Sequence, residues 1–446
     1  MRILIVGGGE VGYGLASTLA ARHEVVVVDH SPDVSARFEK LDIEFVPGGG
    51  TSAEVLRRGR VERAQVLVAC TGSDEVNIVA CGMARHLGAP RTVCFVSRED
   101  FAGLPDGREA LELFGIDRVV WPEAQLAEDI ARIVVAPGAI DAEVFEGGAV
   151  RLLEYRLETG SALIDRALLE LELPAGSLIV AVRRKDTFSI PRGDTRLAAG
   201  DKVVVMGTPE AMSALQPLVT PAADGRQQSV TIIGGGDVGL RLAERLDSID
   251  DVRLLVIERD RTRGELLAAR LRRALVLNGD GTDLSLLEAE DIGRSDVLVS
   301  VIDNDEKNLL ASLLGRQLGV RRVITRVGKA GNLRLFERVG VDVAISARGA
   351  AVASVLHDIE GGGASLLAVL EEGEGRILEV RVPARYRARP LRDVGSPRDS
   401  IVAAILRENE AIVPRGTDTV QPGDRLLVFS TREAAEHVRT FFDRAG

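Results

Sequence analysis

Two sets of three glycines, each followed by a carboxylate, carry the chemistry that this sequence states most plainly. Gly7, Gly9 and Gly12 stand in ILIVGGGEVGYG (residues 3–14), and Gly234, Gly236 and Gly239 stand in VTIIGGGDVGL (residues 230–240). Each set reads G-x-G-x-x-G, entered from an apolar strand and left through a helix, which is the setting a dinucleotide fingerprint requires. The first glycine permits a tight turn, the second lets backbone approach a pyrophosphate, and the third lets helix and sheet pack closely. The helix start, with Glu10 and Val11 in one copy and Asp237 and Val238 in the other, then offers free N–H groups and a positive dipole end to phosphate.

The carboxylates follow at the expected distance. Asp29 ends the second strand (VVVVDHS), where a carboxylate accepts from ribose hydroxyls, and no arginine follows directly, which favours NAD over NADP. Glu258 is its counterpart (LLVIERD); Arg259 and Arg261 follow it, so extra phosphate is tolerable there. After the third strand, Asn278-Gly279-Asp280-Gly281-Thr282 brings Asp280 to the carboxyl edge of the sheet, where it could touch adenine or its ribose; the first copy has Gly49 instead. At the next loop lie Thr71 with Asp74, and Asp303 with Asp305; both Asp74 and Asp305 read equally well as plain helix N-caps. Arg326 ends a fifth strand whose first-half counterpart carries Phe95. The two sites therefore differ in charge, and either bind different nucleotides or leave one copy structural.

The elements that must hold these residues alternate. Strands at 3–6, 24–29, 43–46, 65–70 and 91–96 are separated by helices at 10–21, 33–40, 52–59 and 75–87. The same order recurs from strand 230–233 to strand 322–327. Nearly continuous apolar strands alternating with helices predict a parallel sheet covered on both faces and a doubly wound fold. Further matches (PGGGTS with NGDGTD, TGSDEVNIVA with IDNDEKNLLA, FGIDRVV with VGVDVAI) mark duplicated domains. Each half ends in a smaller α+β module, at 150–219 and 376–442, sharing I-x-P-R-G and G-D turns. A module of that size needs a partner surface. Pro217–Gln228 reads as the linker between halves, and residues 136–139 (APGA) and 360–364 (EGGGA) read as hinges.

Composition sets bounds. The 446 residues are 46% apolar and 28% charged, with a net charge of −11, which opposes non-specific nucleic-acid binding. Cys70, Cys81 and Cys94 sit in apolar runs and read as buried thiols; the five histidines form no metal-ligand pattern. No nucleophile–base constellation or P-loop lysine accompanies the glycine loops. The chain enters a strand at Arg2, which reads as no signal peptide, and no apolar run is long enough to span a bilayer. Two nucleotide sites with little chain left for a catalytic domain argue for a sensor. An NAD-dependent oxidoreductase with duplicated Rossmann domains is the competing reading.

Taken together, these motifs resemble the TrkA family, the cytoplasmic regulatory subunits of Trk-type potassium uptake systems. The resemblance covers essentially the whole chain. It implies tandem RCK (KTN) domains: Rossmann-like domains at 1–135 and 229–358, and small C-terminal lobes at 136–219 and 364–446. It also implies NAD(H) binding, with ATP or ADP in some members, and gating of a TrkH-type membrane partner by a homotetrameric ring without catalysis. A regulator of potassium efflux with the same domain type is the nearest variant. Carried over by position, Gly7, Gly9, Gly12 and Asp29 form the first site. Gly234, Gly236, Gly239, Glu258, Asp280 and Arg326 form the second.

Overall fold

In the computed structural model, the described residues are 1–20, 22–98, 101, 114–185, 187–219, 227–360, 365–370, 374–408 and 410–444. They form two compact units, each drawn from both halves of the chain: residues 1–128 with 229–359, and 129–228 with 360–446.

The first unit holds two Rossmann-like lobes. In the first lobe, β1 (Arg2–Val6), β2 (Glu24–Asp29), β3 (Glu44–Pro47), β4 (Val66–Ala69), β5 (Thr92–Phe95) and β6 (Arg118–Val120) form a parallel sheet ordered β3-β2-β1-β4-β5-β6. Helices α1 (Glu10–Leu19), α2 (Pro32–Phe38), α3 (Ala53–Arg58) and α4 (Asp74–His86) connect the strands. Helix α5 (Pro122–Val134) follows β6. Ile3 and Ile5 face one hydrophobic cluster and Leu4 and Val6 the other, so β1 is buried on both faces. That is why its residues are apolar without alternation.

The second lobe repeats this plan with β12 (Gln228–Ile233), β13 (Val252–Glu258), β14 (Leu275–Asn278), β15 (Val297–Ser300), β16 (Arg322–Arg326) and β17 (Val343–Ile345) in the order β14-β13-β12-β15-β16-β17. Its helices are α7 (Asp237–Asp247), α8 (Arg261–Arg270), α9 (Leu284–Ala289), α10 (Asp305–Leu318) and α11 (Leu333–Arg338). Each sheet thus has a sixth strand, beyond the five read from sequence.

The lobes exchange helices. Helix α12 (Ala347–Glu360) follows the second sheet, yet its Ala351, Val355, Leu356 and Ile359 are buried in the core of the first lobe, beside Ile3, Leu15 and Val27. Full burial of such a Val, Leu or Ile contributes roughly 1.5–3 kcal/mol each. Gly14 of α1 permits the close approach, because a Cβ there would lie 3.3 Å from Val352 Cγ2. In the other direction, α5 follows the first sheet but leans on the second lobe. The Arg241 guanidinium lies 3.6 Å from the centre of the ring of Trp121, the residue just before α5, and Arg245 Nε lies 3.6 Å from Glu128 Oε2 of α5.

The second unit joins the two small lobes. The first has β7 (Ala139–Phe145), β8 (Val150–Arg156), β9 (Ser177–Arg184), β10 (Thr187–Ser189) and β11 (Lys202–Gly207) in an antiparallel sheet ordered β10-β9-β11-β8-β7, with α6 (Pro209–Val219). The second has β18 (Ser365–Leu370), β19 (Gly375–Arg381), β21 (Ser400–Arg407), β22 (Glu410–Ile412) and β24 (Arg425–Thr431) ordered β18-β19-β24-β21-β22. A separate ribbon pairs β20 (Arg389–Pro390) with β23 (Thr419–Val420), and α13 (Ala435–Arg444) closes the lobe. One core takes Phe145, Leu152 and Met206 from the first lobe with Ile377, Leu427 and Phe429 from the second. Arg425 bonds both Glu146 and Glu379, each at 2.7 Å. Each small lobe is therefore the other's partner surface.

The G-D turns have a common explanation. Asp201 and Asp424 are each 2% exposed and each accepts a two-pronged bond from an arginine at a strand end, Arg184 and Arg407, at 2.7–2.9 Å. Burial alone would raise the Asp201 carboxyl, but the Arg184 fork and the Ala198 N–H hold it below its ordinary value.

One sequence expectation needs correction. Pro217 lies inside the last turn of α6, anchored by buried Leu215 and Val219, so the linker begins after Val219. Residues 220–226 lie outside the described residues, as does the expected hinge at 360–364 apart from Glu360, the last residue of α12. Residues 136–139 form a tight turn, with Ala139 N–H donating to Ala136 O at 3.0 Å, that runs into the first residue of β7.

Candidate nucleotide sites

Both glycine loops sit where β1 and β12 meet the following helices, and each glycine has a visible reason. Gly7 and Gly234 have φ of +108° and +104°, which side-chain-bearing residues rarely adopt. A Cβ on Gly12 would overlap the Gly7 carbonyl oxygen, and one on Gly239 would overlap the Gly234 carbonyl oxygen. A Cβ on Gly9, by contrast, would meet nothing within 4 Å. Gly9 thus faces open space at the start of α1. Gly9 and Gly236 are also the N-terminal residues flanking α1 and α7, and neither helix start has a side-chain cap. Their free N–H groups are left for an anion.

The strand-end carboxylates brace these loops. Gly8 N–H donates to Asp29 Oδ2 at 2.7 Å, and Ser31 N–H donates to Asp29 Oδ1 at 2.8 Å. Gly235 N–H donates to Glu258 Oε2 at 2.5 Å, and Asp260 N–H donates to Glu258 Oε1 at 2.7 Å. Each carboxylate oxygen retains a lone pair for a ribose hydroxyl. The longer Glu258 side chain thus reaches the same loop position as Asp29.

Asp74 and Asp305 do not cap their helices. The caps are Ser73, whose hydroxyl accepts from Val76 N–H, and Asn304, whose side chain accepts from Lys307 N–H. Asp74 instead accepts from Ser97 N–H and Arg98 N–H, and Asp305 from Gly328 N–H and Lys329 N–H. Each ties the loop after the fifth strand to the helix after the fourth. The Thr71 hydroxyl donates to Asn77 Oδ1 of α4 at 2.7 Å. Asn77 and Asn308, which the sequence reading passed over, are the buried pins of this region. Asn77 Nδ2 donates to Phe95 O at 3.0 Å, and Asn308 Nδ2 donates to Arg326 O at 3.1 Å.

The second site encloses a cavity of about 340 Å³ along its sheet edge. Its lining includes Gly234, Gly236, Asp237, Val238, Glu258, Asp280 and Arg326. Three further cations line it: Arg259, Arg263 and Lys307. Arg263 carries no motif; the signal available in sequence was its place in the first turn of α8, one turn after the strand-end carboxylate. At the matching first-site positions stand His30, Val34, Val76 and Phe95. Asp280 lies 3.8 Å from Arg259 and 3.9 Å from Lys307, and the Thr282 hydroxyl and N–H bonded to it hold its carboxyl below the usual range. Arg326 Nη2 lies 2.9 Å from Asp303 Oδ1, but Asp303 is 92% exposed, so the pair is weakly held and open to exchange for a phosphate.

One lining residue comes from the other half of the chain. Glu123, in the first turn of α5, enters the second cavity, and its Oε2 is buried without a hydrogen-bond partner.

Beneath the first loop, Cys70 Sγ lies 3.6 Å from Gly7 O, and burial pushes its thiol up to about 12. Cys70, Cys81 and Cys94 are all free and buried. Among the described residues no helix is long and apolar enough to cross a membrane.

Comparison with known proteins agrees with this architecture. The TrkA-N domain matches residues 3–122 and again 230–347, and the TrkA-C domain matches 152–220 and 377–443. The chain is 39% identical to Trk system potassium uptake protein TrkA homolog 1 of Methanosarcina mazei, over 99% of this chain and 100% of that one. It is 36% identical to the TrkA homolog of Archaeoglobus fulgidus, again over 99% and 100%. Among solved structures, the GsuK channel bound to NAD superposes with a TM-score of 0.62 at 20% identity, covering 99% of this chain and 79% of that one, a likeness of fold. With both domain types matched twice and relatives this similar from end to end, the chain belongs to the TrkA family.

Proposed function

We propose that this protein is a nucleotide-sensing regulatory subunit of a Trk-type potassium transporter, binding NAD(H) at its first site and ADP or ATP at its second. The carrying observation is the pair of intact glycine loops, each with a braced strand-end carboxylate and an uncapped helix start. The names of the relatives supply the potassium system, and the NAD complex of GsuK supplies a precedent for a nucleotide on this fold. The division of labour follows from charge. The second site has four cations for phosphates, whereas the first has Asp29 without an adjacent arginine and so suits an unphosphorylated ribose.

In this reading the protein works by binding, without turnover. A nucleotide shifts a membrane partner of the TrkH type only if it binds two conformations with different affinity. The functional modules are residues 1–135 and 229–358, which read nucleotide, and 136–219 and 364–446, which assemble. Four chains form the ring, and the protein reaches the inner face of the membrane through its partner.

Calorimetric titration with NAD⁺, NADH, ADP and ATP tests the reading, using the parent protein, Asp29→Ala and Glu258→Ala. Loss of NAD(H) binding in the first variant and of ADP or ATP binding in the second is expected. Absence of binding for all four nucleotides would overturn it.

A further inference from the structure

Glu123 brings a carboxyl group to the place where the second site gathers cations. It stands in the first turn of α5, delivered by the first half of the chain, and it shares the cavity with the glycine loop of the second half. Its Oε2 is shut off from solvent and accepts no hydrogen bond. Its own backbone N–H and one cation, Arg326 from β16, favour its charge, and two other carboxylates, Asp237 from α7 and Asp303 from the loop after β15, oppose it. Loss of water is the largest influence, and it raises the Glu123 carboxyl above its ordinary value. The other cavity cations, Arg259, Arg263 and Lys307, lie in the same lining as Glu258 and Asp280.

A phosphate ligand adds negative charge to this site. Arg326 would turn from Glu123 and Asp303 toward the phosphate. Glu123 would then keep only its own backbone N–H in favour of its charge, with Oε2 still dry and without a partner, which is a costly arrangement for a carboxylate. Protonation resolves this at small cost, because it removes the charge and makes the orphan oxygen a donor. The proton comes from solvent and no other bond changes.

We propose that Glu123 makes ligand binding at the second site proton-linked: a phosphate-bearing nucleotide binds together with one proton, which Glu123 holds as a neutral carboxylic acid donating to the ligand. The inference rests on the second-site assignment above. It makes the first half of the chain a determinant of affinity in the second. Affinity falls by up to tenfold per pH unit between the pH at which the free site titrates and the higher pH at which the bound site does.

The test is calorimetry with ADP, in the presence of a chelator so that no divalent cation replaces the proton. Titrations run at one near-neutral pH in buffers of different ionisation enthalpy, for the parent protein and Glu123→Gln. Protons taken up by ADP itself are common to both proteins, so the difference between them is the readout. The expected difference approaches one proton per site, with the ADP affinity of Glu123→Gln varying less with pH. Equal proton uptake by the two proteins would overturn the proposal. So would a pH-independent affinity in the parent protein once the titration of free ADP is accounted for, a result that needs no variant. Binding of ADP by neither protein would instead remove the second-site assignment, and this proposal with it.

Discussion

Phe95 and Arg326 occupy one structural position in two copies. Each ends the fifth strand of its sheet, and each gives its carbonyl oxygen to an asparagine on the preceding helix, Asn77 or Asn308. The backbone frame is the same and the side chain is not. One copy places an aromatic ring inside the first-lobe core, and the other places a guanidinium at a cavity edge. The duplicated sites have kept their scaffold and exchanged their electrostatics.

Arg326→Ala should therefore weaken ADP or ATP at the second site and leave NAD(H) at the first unchanged. A charge-assisted bond to phosphate is worth about 1.5–3 kcal/mol, so the dissociation constant should rise roughly 10- to 100-fold. Calorimetry with each nucleotide in turn checks both halves of the statement.

The glycines separate folding from binding. Gly9→Ala puts its methyl group into open space and should leave the melting temperature nearly unchanged while abolishing NAD(H) binding. Gly12→Ala drives a Cβ into the Gly7 carbonyl and should destabilise the first lobe outright, by about 1–3 kcal/mol. Denaturant melts paired with NADH fluorescence distinguish the two.

In the second small lobe, Asp424→Ala leaves the Arg407 guanidinium facing a buried void. Arg407 is 31% exposed and can reach water, so the loss should sit at the low end for a broken buried pair, about 3 kcal/mol. A urea melt monitored by far-ultraviolet circular dichroism reads this directly.

The start of the first small lobe should respond to pH. Desolvation pushes the Asp141 carboxyl up to about 6 and the Glu143 carboxyl up to about 7, with Asp129 adding to the rise and Arg132 opposing it. Unfolded, such carboxyls titrate near about 4. Between those limits the folded state holds protons that the unfolded state has released. The contribution of these two carboxyls to stability should thus be most favourable at acidic pH and decline as pH rises toward about 7. Asp141→Asn should flatten that decline in melts run across the series.

Much of this architecture is legible in the amino-acid sequence itself. Unbroken apolar runs such as Val25–Val28 require strands buried on both faces, and two glycine fingerprints require two Rossmann-like turns. The rest depended on distance in sequence. The sequence reading assigned no helix at 347–360, and nothing local shows that Ile3 and Leu15 would lie beneath one. The sixth strands escaped because three residues, Arg118–Val120 or Val343–Ile345, are too few to establish a period. Asp74 and Asp305 looked like caps because they open helices; the residues just before them, Ser73 and Asn304, do that work. Glu123 was invisible for a different reason, since nothing local marks a residue whose cavity lies more than a hundred positions onward.

The exchange of α5 and α12 makes the single chain a dimer whose two members happen to be spliced end to end. A nick between Val219 and Gln228 should release neither piece, because each would still hold the other's helix and half of a common hydrophobic core. The first piece expressed alone should pair with a second copy of itself, recreating in a symmetric form what the fused chain has since allowed to diverge.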